Sequence, residues 1–276
     1  MTGIEIGIAS VALIIVLIYL GMYIPVALGL ISFVGVFLIR DNMDMAVALL
    51  SEAIADSITE FVFASVPLFA LMGLIVSKAG IGKDVYEVAN FLFYRIRGGL
   101  GIATVFANAV FASVTGSSIA SASVSTRVAV PEMQRFGFKA RFTVGVVAGS
   151  SVLGMLIPPS AMLIIYAIVT EQSIGQMFVA GIIPGILLSV AYGILILAMA
   201  YIVPNWVGGM DAKDVAGEDW AKMTMWDLVV KMFPIVLLIT LVLGGIYGGI
   251  VTPVEAGALG SLSALVIAVA KRAINW

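Results

Sequence analysis

Long apolar runs separated by short breaks dominate the chain. A helix needs about 20 apolar residues to cross a hydrocarbon layer of about 30 Å, and several runs approach that length. Residues 4–20 and 24–39 read as scaffold spans divided at Gly21 and Pro25. Residues 43–57 are weakly amphipathic, with Asp44, Glu52 and Asp56, and lead into an apolar stretch, 61–76, that contains Pro67. A polar, amphipathic arm at 82–97 carries Lys83, Asp84, Glu87, Arg95 and Arg97. Residues 99–131 and 142–170 are long and apolar but broken, the first by Ser113-Val-Thr-Gly-Ser-Ser118, the second by Pro158-Pro159-Ser160. A clean span covers 177–203, and a polar connecting segment, 204–230, holds Asp211, Lys213, Asp214, Glu218, Asp219 and Asp227. Two more spans lie at 231–250 and 253–270. The chain's start lacks a basic n-region and its apolar run continues into a second span, so no signal peptide is expected there.

Composition turns this pattern into a class. Of 276 residues, 62% are apolar and 11% charged, against roughly 25% charged in soluble domains. Mean hydropathy is +1.18. A soluble globule of this size cannot hide so much apolar surface, so the expected fold class is an all-α polytopic membrane protein. Cysteine and histidine are absent. That excludes thiol nucleophiles, disulfides, histidine haem ligation, Cys/His zinc sites and histidine proton relays. The net charge of −2 is scattered, and no basic patch points to nucleic acid.

The 43–78 stretch admits two readings. Its apolar part is short for a crossing and suits a re-entrant helical hairpin with its tip near Ser65-Val-Pro67. The plainer reading is a kinked full span. The hairpin decides the topology, because Gly-x-x-x-Pro-Val-x-x-Gly occurs twice, at 21–29 and 249–257, each time joining one span to the next. With 43–78 as a hairpin, five spans precede residue 231, and the second copy enters the membrane inverted. Inverted repeats are a mark of secondary transporters. The expected organisation is thus a first repeat at 1–203, a connector at 204–230, and the first two spans of a second repeat at 231–276. The chain reads as one whole repeat plus the start of another, the rest belonging to a longer chain or a partner.

The two breaks are the candidate site. Non-helical backbone persists at membrane depth only where protein or water covers it. Gly116 permits unwinding, and Ser113, Thr115, Ser117 and Ser118 offer hydroxyls. The new helix start at Ser117–Ser118 presents unpaired amides and a positive dipole end. Pro158 and Pro159 remove two donors and free carbonyls near Gly154 and Met155. Thr115, Gly116, Ser117, Gly154, Pro158 and Ser160 are the expected Na⁺ ligands, mostly through carbonyls. Ser65, Pro67, Ser118 and Arg127 are the expected substrate contacts. The competing reading takes the small residues 117–125 as close helix packing and has Arg127 snorkel to the interface. The deep segments hold no Asp, Glu or Lys, which disfavours a carboxylate proton pump and favours Na⁺ as coupling ion; no cofactor and no enzymatic activity are expected. Asp56 and Glu60 read as interfacial. Lysine and arginine divide eight against five between the two faces of this topology, too evenly to set orientation.

The segments Ser65-Val-Pro-Leu-Phe-Ala-Leu-Met-Gly73, Gly98-Gly-Leu, Phe111-Ala-Ser-Val-Thr-Gly-Ser-Ser118, Val130-Pro-Glu-Met133, Ile157-Pro-Pro-Ser160, Ala180-Gly-Ile-Ile-Pro-Gly185 and Thr252-Pro-Val-Glu-Ala256 occur in an order that resembles the large membrane subunit of tripartite ATP-independent periplasmic (TRAP) transporters, the DctM-like family. The resemblance covers residues 21–270. It implies an elevator-type inverted-repeat transporter in the bacterial inner membrane, Na⁺-coupled uptake of organic acids such as C4-dicarboxylates, a small DctQ-like membrane subunit and a periplasmic substrate-binding protein. It also implies that Ser65 and Pro67 match a hairpin tip, Gly116, Ser117 and Ser118 one broken helix, and Pro158, Pro159 and Ser160 the other. Two departures stand out: members of that family are longer, and they often carry an acid where this chain has Ser121.

Overall fold

A computed structural model describes residues 3–59, 61–208 and 223–273. The described residues are almost wholly helical and divide into two units, the first ending at Phe61 and the second starting at Val62. Asp211, Lys213, Asp214, Glu218 and Asp219 of the polar connector, and Glu60, lie outside the described residues.

The first unit holds α1 (Gly3–Tyr19), α2 (Ile24–Arg40) and α3 (Met43–Thr59). Outward positions of α1 and α2 are Ile, Leu, Val and Phe, among them Ile8, Val11, Leu28 and Phe37, as a lipid-facing surface requires. At the first repeat copy, Gly21 takes φ +89. The Gly21 amide donates to the Ile18 carbonyl and the Met22 amide to that of Leu17, both at 3.0 Å, a Schellman closure. Pro25 then sits in the first turn of α2, where its missing N–H removes no helical bond. The second copy repeats this locally. Gly249 has φ +67, its amide donates to Ile246 and that of Ile250 to Gly245 at 3.1 and 3.0 Å, and Pro253 opens the next helix. The matched sequence therefore encodes a matched stop and start.

The second unit comprises α4 (Ser65–Lys78), α5 (Ile81–Phe93), α6 (Gly99–Thr115), α7 (Ser118–Arg135), α8 (Ala140–Ser151), α9 (Leu153–Leu156), α10 (Ala161–Val169), α11 (Ile174–Ile202), α12 (Met225–Ile239), α13 (Gly245–Tyr247) and α14 (Pro253–Ala270). A 3₁₀ turn, Phe61–Ala64, leads straight into α4, and a π turn, Thr240–Gly244, joins α12 to α13. Helix α12 starts six residues before the expected span, behind a Thr224/Asp227 capping box. Gly257 and Gly260 let α14 lie against α4: a Cβ at Gly257 would stand 3.0 Å from that of Leu68, and one at Gly260 2.5 Å from Met72 Sδ.

Two sequence expectations change. Residues 99–131 do not form one broken crossing. Helices α6 and α7 fold back on each other about Gly116–Ser117, so Ser125 bonds Asn108 and Met133 meets Thr104. Both feet of this hairpin reach one segment: a Cβ at Gly98 would lie 3.1 Å from Val207, and the Lys139 amide donates to the Trp206 carbonyl at 3.1 Å. The helical hairpin within the second unit is therefore 99–135. The interruption expected at Ser65–Pro67 is absent as well. Both residues lie in the first turn of α4, where a proline is tolerated, and the 18 helical residues Phe61–Lys78 are long and apolar enough to cross a membrane. So are α11, Met225–Tyr247, α14 and, with a 43° bend, 140–169.

The amphipathic arm expected at 82–97 is packed along one face. Helix α5 buries Ile81, Val85, Tyr86, Val88 and Ala89, while its charged edge pairs Glu87 with Lys231 of α12 at 2.5 Å and Asp84 with Lys271 at the end of α14.

Candidate functional site at two helix breaks

Helix α6 stops because Gly116 adopts the left-handed conformation, φ +57, its amide closing on the Ala112 carbonyl at 2.9 Å. Ser117 is extended and starts α7, its Oγ accepting from the Ala120 amide at 3.4 Å. The hydroxyls of Ser113 and Thr115 turn back onto the Val110 and Phe111 carbonyls at 2.6 and 3.1 Å. Their donors are spent within α6, and lone pairs remain toward the break. The terminal carbonyls of α6 have no amide ahead of them in the same helix.

The second break follows from Pro158 and Pro159, joined by a cis peptide. Neither offers an N–H, so the carbonyls of Gly154 and Met155 lose their helical donors. Ser160, buried and extended at the start of α10, returns one bond: its Oγ donates to the Met155 carbonyl at 2.7 Å. The Gly154 carbonyl keeps no such substitute from Pro158.

The two breaks meet backbone to backbone. The Ala161 amide donates to the Gly116 carbonyl at 3.2 Å. A Cβ at Gly116 would strike the Pro159 carbonyl, and one at Gly154 would sit 2.7 Å from the Ser117 carbon and Ser118 nitrogen. From α4, Gly73 approaches so closely that a Cβ there would lie 2.8 Å from the Thr115 oxygen. Glycine at these positions is a packing requirement. The result sets the carbonyl ends of α6 and α9 beside the amide ends of α7 and α10, with no charged side chain in 113–118 or 154–160. Neutral carbonyls and hydroxyls suit a desolvated alkali cation, and helix amide ends suit an anion.

The structure thus gathers Thr115, Gly116, Ser117, Ser118, Gly154, Pro158 and Ser160. It does not bring Arg127 there: Arg127 is exposed on α7, about 13 Å along the helix from Ser118. Ser65 is buried with its Oγ donating to the Val62 carbonyl at 2.6 Å, and on α4 it is Gly73, two turns beyond Ser65 and Pro67, that touches the break. Sequence reasoning missed Gly73, though a glycine inside an apolar helix signals close approach. It also missed Asn108. Ser125 Oγ donates to Asn108 Oδ1, Asn108 Nδ2 to Ser150 Oγ at 2.6 Å, and Ser150 Oγ to the Val146 carbonyl at 2.6 Å. That chain locks both hairpin arms to α8.

An all-helical chain with this many helices long and apolar enough to cross a membrane is a polytopic membrane protein. The family model for the tripartite ATP-independent periplasmic transporter, DctM component, matches residues 11–276, and the chain belongs to that family. It is a multi-pass protein of the bacterial inner membrane. It is 35% identical over 207 residues to the C4-dicarboxylate TRAP transporter large permease protein DctM of Pseudomonas aeruginosa, covering 74% of this chain and 46% of that one. Identity to the protein of the same name from Vibrio cholerae is 32%, covering 93% and 54%. To the sialic acid TRAP transporter large permease protein SiaM of Vibrio cholerae it is 31%, covering 90% and 56%. The chain spans about half the length of the curated relatives it matches. Those relatives are named as transporter permeases rather than enzymes.

Proposed function

We propose that the chain acts in a TRAP-type secondary transporter that couples Na⁺ entry to uptake of an organic acid. In this reading a periplasmic binding protein delivers the substrate, and a small DctQ-like subunit sits beside the chain in the bilayer. The bond from the Ala161 amide to the Gly116 carbonyl carries the proposal, because it holds two unwound segments together where uncharged oxygens and helix amide ends converge. Na⁺ takes carbonyl oxygens from Thr115, Gly116, Gly154 and Pro158 with the hydroxyls of Ser117 and Ser160, and the acid lies by the start of α7 at Ser118. Relatives are named for C4-dicarboxylate, sialic acid and ectoine, so the acid is left at its class. The name DctMQ on one relative supports a DctQ-like partner.

The hairpin at 99–135 supports an inverted repeat by a different count. With the shorter apolar helices α1 and α2 taken as crossings beside 61–78, 140–169 and α11, five again precede α12. Orientation follows from the same topology. By this count Lys78, Lys83, Arg95, Arg97, Arg135, Lys139, Arg141, Lys231, Lys271 and Arg272 fall on the side of the hairpin's feet, whereas Arg40, Glu171 and Glu255 fall on the other. By the positive-inside rule the hairpin enters from the cytoplasm.

The test is Na⁺-driven uptake by the protein in its complete complex. Ser117→Ala with Ser118→Ala should weaken apparent Na⁺ affinity while insertion stays normal; a change confined to folding yield rejects the Na⁺ site. A second reading is a scaffold or assembly subunit that does not itself transport. Uptake that persists when the chain is deleted from the complex would support it.

A further inference from the structure

Between α5 and the hairpin lies a cavity of about 10 Å³, bounded by Gly82, Tyr86, Asn108, Phe111, Val124 and Ser125. It belongs to neither helix break. Its walls are mostly apolar, yet the polar groups on them are not all satisfied. Tyr86 is buried, with Asn90 and Thr104 nearby, but its hydroxyl has no partner in hydrogen-bond geometry. The buried Asn90 amide beside it also lacks one. Asn108 Oδ1 accepts from Ser125 and retains a second lone pair, and Ser125 Oγ retains acceptor capacity.

A buried hydroxyl without a partner is destabilising, and the usual remedy is a trapped water with two to four bonds. The cavity has the room that one water needs. We propose that a single ordered water occupies it, accepting from Tyr86 Oη and donating to Asn108 Oδ1 and Ser125 Oγ. Three neutral oxygens in so small a space satisfy a water and under-coordinate a cation. The water then adds a polar link between α5, which the Glu87–Lys231 and Asp84–Lys271 pairs tie to α12 and α14, and the hairpin, which α5 also meets through apolar side chains such as Phe93 on Phe106.

Tyr86 and Ser125 share no direct bond, so a double-mutant cycle isolates the bridge. Unfolding equilibria are measured in mixed micelles for the full chain, Tyr86→Phe, Ser125→Ala and the double variant. The expected non-additivity is about threefold in the unfolding constant, with a water peak between the three oxygens in a density map of the unaltered protein. Additive effects, or an empty cavity in that map, overturn the proposal. The map requires no variant to fold, and neither readout depends on Na⁺ or uptake.

Discussion

Gly116 and Ala161 belong to different broken helices, and a 3.2 Å bond from the Ala161 amide to the Gly116 carbonyl joins them. Two constraints fall on Gly116: a left-handed φ and a Pro159 carbonyl where a Cβ would stand. The first costs a non-glycine residue about 1–2 kcal/mol, and the second forces the breaks apart. Gly116→Leu should abolish Na⁺-dependent uptake in the complete complex and lower thermal stability while leaving membrane insertion intact. Uptake assays beside a thermal melt check this, and unchanged uptake would remove the breaks from the site.

Gly154 separates the two constraints, because its backbone is ordinary helix and only space is at stake. A methyl group there meets the Ser117 carbon and Ser118 nitrogen at 2.7 Å. Gly154→Ala should therefore loosen the meeting of the breaks without local backbone strain. The expected result is a melt lowered by a cost of about 1–3 kcal/mol and a smaller rise in melting temperature on adding Na⁺. Stabilisation by Na⁺ equal to that of the unaltered protein would show that the Gly154 contact lies outside the cation's reach.

Asn108 sits at the centre of its chain, and Ser150 nearer the end. Asn108→Ala strands the Ser125 donor and removes a donor from Ser150, whereas Ser150→Ala leaves the Ser125–Asn108 bond in place. Side-chain hydrogen bonds between membrane helices average about 0.6 kcal/mol. The Asn108 variant should thus lose about twice what the Ser150 variant loses in an unfolding titration. Equal losses would mean that the chain contributes as one pair.

The folds most legible in the sequence were those written in glycine and proline punctuation. The paired stops at Gly21 and Gly249, with starts at Pro25 and Pro253, came through because each rests on backbone rules that act over a few residues. The break at Gly116–Ser117 was legible for the same reason, but its direction was not. Whether α7 continues or returns depends on pairings eight residues out on each side, such as Asn108 with Ser125. One sign was present: α7 carries Ser121, Ser123, Ser125, Thr126 and Arg127, too polar a run to face lipid alone. Pro67 misled because a proline kinks a helix interior but is harmless in a first turn, and only the structure tells which turn holds it. Gly73 reached the site through tertiary contact, which no local pattern encodes.

The electrostatic seam of α5 gives a prediction with its own control. Glu87 and Lys231 are both partly buried and lie 2.5 Å apart, so their pairing is screened less than a surface pair, which is worth about 0–1 kcal/mol. Lys231→Glu should place two carboxylates together and destabilise the chain by more than Lys231→Gln does. Combining it with Glu87→Lys should recover most of the loss. Failure of the exchanged pair to recover would assign the effect of Lys231 to its aliphatic stem rather than its charge.

The hairpin makes the sharpest topological prediction. If 99–131 crossed the bilayer, Ile96 and Gln134 would lie on opposite faces; if α6 and α7 turn back at Gly116, they share one. The sequence has no cysteine, so single thiols report without background. Ile96→Cys and Gln134→Cys, both at exposed positions, should react with a membrane-impermeant maleimide in inside-out vesicles and stay protected in right-side-out ones. Gln172→Cys, beyond the bent crossing 140–169, should show the reverse. Opposite accessibility at Ile96 and Gln134 would restore the crossing, make the number of spans before α12 even, and turn the two Gly-Pro repeats parallel.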